Sequence, residues 1–324
     1  MNFCTVPVLF ILLFLVRAID GQSPLGPLTD HFLNWLVSNG YEGDAFDRPD
    51  IGPSGSYGGK LTAAQQITKE PVIFVHGTGD AALHTQAPQA TGFSRAIQYF
   101  VEQKYSSAEL YATTWGDTWG TGNILDGYAT MHTCSYLVNL RRFLEAVLAY
   151  TAAPKVDVIA HSVGVVLARK AIKGGELIAT DGNCSLGRPL SDRIDTFLGN
   201  FICYQITQFL AAYCSGISGP NYGLCMCQLA QTVPAWCNAL DGLYPGYSCD
   251  DQLLCGYTQT PCEQTNYSAF LEKLNRDPNR EADYIFSFWS DVDEVLLYKS
   301  LINGHIAMKD FTELRQFEAV TTHR

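Results

Sequence analysis

The sequence predicts an α/β protein: a mostly parallel sheet with helices on both faces and a disulfide-rich insertion. Three observations point there. From Pro71 onward, short apolar segments alternate with longer segments of helical periodicity, the arrangement that builds parallel sheets. Val72-Ile73-Phe74-Val75 is apolar at every position, as a strand covered on both faces requires. The 324 residues are 47% hydrophobic and only 16% charged, so a sizeable core is available and global disorder is excluded.

The elements follow in order. Val6 to Val16 is an apolar run of 11 residues broken only by Pro7, followed by Val16-Arg17-Ala18. This reads as a secretory signal over residues 1–21, cleaved after Ala18 or Gly21, and too short to span a bilayer comfortably. The expected mature domain is 22–324, secreted and extracellular. Ser23 to Lys60 is rich in Gly and Pro and reads as irregular, weakly helical around His31 to Val37. After the Val72 strand, Phe93, Ile97, Phe100 and Val101 recur at helical spacing. Glu109 to Thr114 is the next strand. Leu137, Leu140, Leu144, Val147 and Leu148 then share one helix face, and Pro154 stops that helix. The strand Val156 to Ile159 leads into a helix running through Leu167 and Ile172 to Gly174-Gly175. Further strands are expected near Ile194 to Leu198 and Tyr284 to Trp289, with a closing helix from about Ile306 to Val320.

Phe201 to Cys262 does not alternate like the rest. Signal removal takes Cys4 and leaves ten of the 11 cysteines; eight of those ten lie in this segment, with three aspartates and no Lys, Arg or His. An even number of cysteines in an exported chain argues for disulfides, though no pairing can be assigned. Zinc binding by Cys225-Met226-Cys227 is disfavoured because the spacing is too short for the usual ligand knuckle. The segment, about 201–262, reads as a stapled insertion over the carboxyl edge of the sheet. Two roles stay open for it: an acyl-binding surface from Leu224, Leu229, Trp236, Leu240 and Leu243, or a structural cap. Asn183-Cys184-Ser185 and Asn266-Tyr267-Ser268 are glycosylation sequons. A net charge of −11 with no basic run excludes nucleic acid as a partner.

Chemistry concentrates in Ala160-His161-Ser162-Val163-Gly164, a serine between small residues where a strand turns into a helix. That is the nucleophile elbow of the α/β-hydrolase fold. The turn lifts a weakly nucleophilic hydroxyl toward a general base. The pattern alone is common, so its support must come from elsewhere in the chain. The Val72 strand ends in His76-Gly77-Thr78-Gly79, where such folds place the oxyanion loop, and the Thr78 N–H is the expected donor. The Val163 N–H, at a helix N-terminus, is the expected second donor. A base and its orienting acid must follow the serine in the order Ser, acid, His. Beyond Ser162 stand only His305 and His323, and His323 is next to the chain end. His305, in the Gly-led turn Asn303-Gly304-His305-Ile306, is the expected base. The acid should sit just past a late strand, where Asp291, Asp293 and Glu294 are available; Asp293 is preferred, with Asp291 next. Only 11 residues separate Asp293 from His305, so any strand between them is short or absent. His76 is expected to shape the oxyanion loop by hydrogen bonding, and the His161 side chain to point away from the nucleophile.

Four segments together, Val75-His76-Gly77-Thr78-Gly79, Ala160-His161-Ser162-Val163-Gly164, Ser290-Asp291-Val292-Asp293-Glu294-Val295 and Gly304-His305-Ile306, resemble the class 2 lipases, over roughly Leu28 to Phe317. Alanine at the first small position of the elbow is typical of that family, and a cysteine-rich region after the elbow is shared with its secreted nematode members. The resemblance implies Ser162 as nucleophile, Asp293 as acid, His305 as base, and Thr78 and Val163 as oxyanion donors. It implies hydrolysis of carboxylic esters of lipids, with transient contact at a lipid interface and no metal or organic cofactor. Two other expectations share these residues: a non-catalytic binding protein on a hydrolase scaffold, and an acyltransferase or thioesterase.

Overall fold

The computed structural model describes residues 24–87, 90–118, 131–200, 219–224, 227, 235–245 and 267–287. Among the described residues, six strands form the main sheet: β1 (Ser56–Tyr57), β2 (Val72–Val75), β3 (Leu110–Thr113), β4 (Val156–His161), β7 (Ile194–Asn200) and β8 (Tyr284–Ser287), in the order β1-β3-β2-β4-β7-β8. Every pairing is parallel except that of β1 with β3 at one edge. β5 (Glu176–Ala179) and β6 (Gly182–Ser185) form a separate antiparallel hairpin.

The helices are α1 (Asp30–Ser38), α2 (Ser94–Glu102), α3 (Cys134–Thr151), α4 (Val163–Lys173) and α5 (Ala269–Arg276). α2 covers one face of the sheet, where Val72, Phe74, Leu110 and Ala112 meet Ile97. The others cover the opposite face, where Ile73, Val75, Tyr111, Val156, Val158 and Ala160 point into the larger core. Val101, expected on the inward stripe of α2, is 42% exposed. Phe93 and Phe100 fill this smaller cluster, and Tyr105 packs edge-on against Phe100 at 4.9 Å.

The helix expected only weakly around His31 to Val37, in the segment before Lys60, is a full one. The Thr29 side chain accepts from the Phe32 N–H and caps α1. Phe32 then stacks on Tyr150 at 4.3 Å and meets Tyr111 edge-on at 5.5 Å, joining α1 to α3 and to β3. The Tyr150 hydroxyl lies 2.7 Å from His31 Nδ1 and accepts from the Lys60 N–H at 3.0 Å. Glu109, expected to open β3, ends a 3-10 turn instead. Its carboxylate accepts from the backbone N–H groups of Ser106, Thr68 and Lys69, which holds it out of the strand.

Two disulfides are described. Cys134 at the start of α3 joins Cys184 on β6, and Cys227 joins Cys237. The first closes a loop of 50 residues' separation, which the chain-entropy model credits with about 4 kcal/mol. The second takes Cys227 away from zinc. In the insertion, Leu224 and Leu243 belong to the main core and Trp236 packs against it. Leu240 is 40% exposed. Leu229, the Trp289 end of the last strand and the closing helix at 306–320 lie outside the described residues.

Candidate active site

The strand order reverses between β2 and β4. From β2 the chain crosses to β3 on one side; after β4 it proceeds to β7 and β8 on the other. Loops at such a switch point diverge and leave a crevice at the carboxyl edge. The two loops here are the ones the sequence singles out, 76–79 after β2 and 162 after β4.

Ser162 sits between the end of β4 and the start of α4 with φ 53° and ψ −131°. That region is nearly closed to residues with a Cβ and costs roughly 1–3 kcal/mol. The strain persists because both neighbours are fixed: β4 is paired on both sides, and every residue of α4 is buried. The Ser162 hydroxyl does not cap α4, and the side chain is half-buried.

Glycine is required on both sides of this corner. A Cβ on Gly164 would lie 2.2 Å from the His76 carbonyl oxygen, because the first turn of α4 crosses the end of β2 in direct backbone contact. A Cβ on Gly77 would lie 2.8 Å from the Ser162 Cβ. The backbone after β2 therefore passes directly against the serine, where an oxyanion loop belongs.

His76 holds that loop in place. It is 1% exposed, and burial pushes its imidazole down to about 3, so the ring is neutral. Its Nε2 accepts from the Trp115 N–H at 3.0 Å; the proton is therefore on Nδ1, which donates to the Gly77 carbonyl at 2.7 Å. The Trp115 indole N–H donates to the His76 carbonyl at 2.8 Å, and the two rings stack at 5.2 Å. Thr78 is half-buried, its hydroxyl 3.9 Å from the Met131 sulfur. Val163 is the first residue of α4, so its N–H has no intrahelical acceptor and points at the corner.

Asp80 closes the far side of the loop. One carboxylate oxygen accepts from the Ala81 N–H at 2.8 Å and the Gly92 N–H at 2.9 Å. Burial pushes this carboxyl up from 3.8 to about 6. A raised pKa means that the unfolded chain gives up its proton more readily. The stability it contributes is therefore complete below 3.8 and is lost as pH rises through about 6. Asp80→Asn keeps an acceptor oxygen and removes the charge. It should raise unfolding stability at pH 8 by about 3 kcal/mol and change little at pH 4. Urea denaturation at the two pH values checks this; an equal effect at both would sink it.

Asp293, Asp291, Glu294, His305 and His323 lie outside the described residues. Of the other histidines, His84 is exposed. His132 is buried, 2.6 Å from the Asp241 carbonyl through Nδ1 and stacked on Phe270 at 4.6 Å. Burial pushes it down to about 4, and it serves packing. Among the described residues, one trio of carboxylates comes close enough to share a cation: Glu70, Asp157 and Asp195. It lies where β4 and β7 begin, at the opposite end of the sheet from Ser162. Sequence reasoning missed Trp115 and Asp80. Asp80 follows directly on the His-Gly-Thr-Gly run, which is the signal that could have pointed to it.

A parallel sheet with helices on both faces, a strained serine at a strand-to-helix corner and a glycine loop pressed against it place the chain in the α/β-hydrolase class. The model of the family Lipase (class 2) matches residues 69–319, well over half of the sequence. The chain belongs to that family, whose members are lipase- and esterase-type hydrolases.

Proposed function

We propose that the chain is a secreted serine hydrolase of carboxylic esters, with lipid esters as its substrate class. The observation that carries this reading is the left-handed backbone of Ser162, held in contact with the loop after β2. A fold maintains such strain where a side chain must project in one direction.

In this reading His305 takes the proton of the Ser162 hydroxyl as its oxygen attacks the ester carbonyl. Asp293, with Asp291 next in preference, fixes the tautomer of His305 and stabilises the imidazolium. The Thr78 and Val163 amides receive the developing oxyanion. The alcohol leaves with the proton from His305, and water activated by the same imidazole releases the acid from the acyl-enzyme. The apolar run at Val6 to Val16 supports export. The cysteine-rich segment supports a place among the secreted members of the family.

The test is a fluorophosphonate probe on the purified, oxidised protein. Wild type should be labelled at Ser162, while Ser162→Ala and His305→Ala should not be. Labelling elsewhere, or no labelling of wild type, would overturn the assignment. A rise in rate on emulsified triacylglycerol over a short soluble ester would support the lipid substrate; equal or lower rates would argue for a soluble ester, thioester or acyl transfer.

A further inference from the structure

The sequon Asn183-Cys184-Ser185 occupies β6, the second strand of the hairpin outside the main sheet. Alternation along that hairpin sorts its side chains. Leu177 and Cys184, paired across the strands, face inward, and Cys184 is bound there to Cys134. Asn183 and Ser185 are exposed on the outer face. Directly opposite Asn183 in the register is Ile178, which is 60% exposed. Directly opposed side chains lie within about 5 Å of each other. Ile178 is among the most exposed large apolar side chains described, and a bulky group on Asn183 would lie beside it.

We propose that Asn183 carries an N-linked glycan that covers Ile178, and that its addition competes with closure of the Cys134–Cys184 disulfide. The inference rests on the exported reading above, because the donor is the lipid-pyrophosphate-linked oligosaccharide of an exporting cell. The bond formed joins the Asn183 amide nitrogen to C1 of the first sugar. The bond broken is C1–O to the lipid pyrophosphate, which leaves with the electron pair, while the amide proton passes to a base of the transferase.

Competition follows from the position of Cys184. Transfer needs the asparagine and the serine two residues on in an accessible, extended segment. Cys134 precedes Cys184 by 50 residues and is already available when Cys184 emerges. Once the disulfide closes, one face of the sequon is held against α3 and its backbone is paired with β5. The glycan, once attached, lies on the opposite face and leaves the disulfide free to form.

The experiment expresses the full chain in insect cells with its own leader and, in parallel, with a heterologous cleavable leader. Occupancy at positions 183 and 266 is read separately by peptide mass spectrometry after peptide-N-glycosidase treatment of whole-cell and secreted material. Asn183 should be modified in a fraction of wild-type chains. That fraction should rise at least twofold in Cys134→Ser and in Cys184→Ala, with no change at position 266. Because whole-cell material is read, misfolding of either variant does not mask the result. Asn183→Gln should aggregate several-fold faster than wild type, and adding Ile178→Thr should reverse this.

Secreted protein unmodified at position 183 overturns the proposal while leaving export intact. Failure of the native leader with success of the heterologous one overturns the export reading while still testing Asn183. Complete wild-type occupancy, or no rise in the cysteine variants, overturns the competition. Aggregation that Ile178→Thr does not relieve overturns the cover.

Discussion

Ser162→Ala should lower ester-hydrolysis kcat on the order of 10⁶-fold, the cost of removing a triad nucleophile elsewhere, with little change in folding. Alanine keeps the Cβ and therefore the strain of φ 53°. Ser162→Gly should be equally inactive yet more stable than Ser162→Ala by about 1 kcal/mol, because glycine adopts this backbone freely and loses part of that gain to chain entropy. Kinetics on a soluble ester together with urea denaturation of the three proteins decides the matter. Activity retained by Ser162→Ala would remove the serine from the chemistry. A glycine variant no more stable than the alanine one would show that the corner is not strained.

Glu281→Ala should be the most damaging single change to stability among the charged residues described. The Glu281 and Arg169 side chains are 2% and 8% exposed, and their atoms meet at 2.8 Å. Lys173, 2% exposed, lies 3.6 Å from the same carboxylate oxygen. Arg169 also donates to the side-chain oxygens of Asn221 at 2.7 Å and Asn275 at 2.9 Å. Removing the carboxylate strands two cations inside the protein, and a broken buried pair of this kind costs about 3–5 kcal/mol. Glu272→Ala is the control, since its partner Arg276 is 75% exposed and such a pair contributes about 0–1 kcal/mol. Arg169 and Lys173 lie on α4, the helix that begins at the nucleophile. Loss of Glu281 should therefore lower the temperature at which activity disappears in step with the thermal midpoint. Thermal unfolding and residual activity measured together check both claims; an effect no larger than that of Glu272→Ala would refute them.

What the sequence shows of this protein is what neighbouring residues decide. β2, α3, β4 and α4 are written in local periodicity, and the elbow in five consecutive residues, so both are legible before any coordinates. α5 was equally available, with Ser268 as its cap and Phe270, Leu271 and Leu274 on its inward face, but it falls beside a sequon and a cysteine-rich segment without periodicity. β1 is only two residues long and exists through its pairing with β3, so no local signal marks it. The β5–β6 hairpin is short in the same way, and its disulfide partner is 50 residues away.

The hydroxyl at position 162 and the glycines near it were determined by the sequence alone, because a sharp corner can be built from only a few residue types. The left-handed backbone of the serine, the contact of Gly77 with it and the neutral His76 ring clasped by Trp115 were decided only by the tertiary structure. So was the burial of Arg169 and Lys173, which a helix read by itself would place in solvent. Each depends on a partner distant in the chain, such as Glu281, 112 residues from Arg169. A charge buried this deeply is held by partners that only folding brings to it.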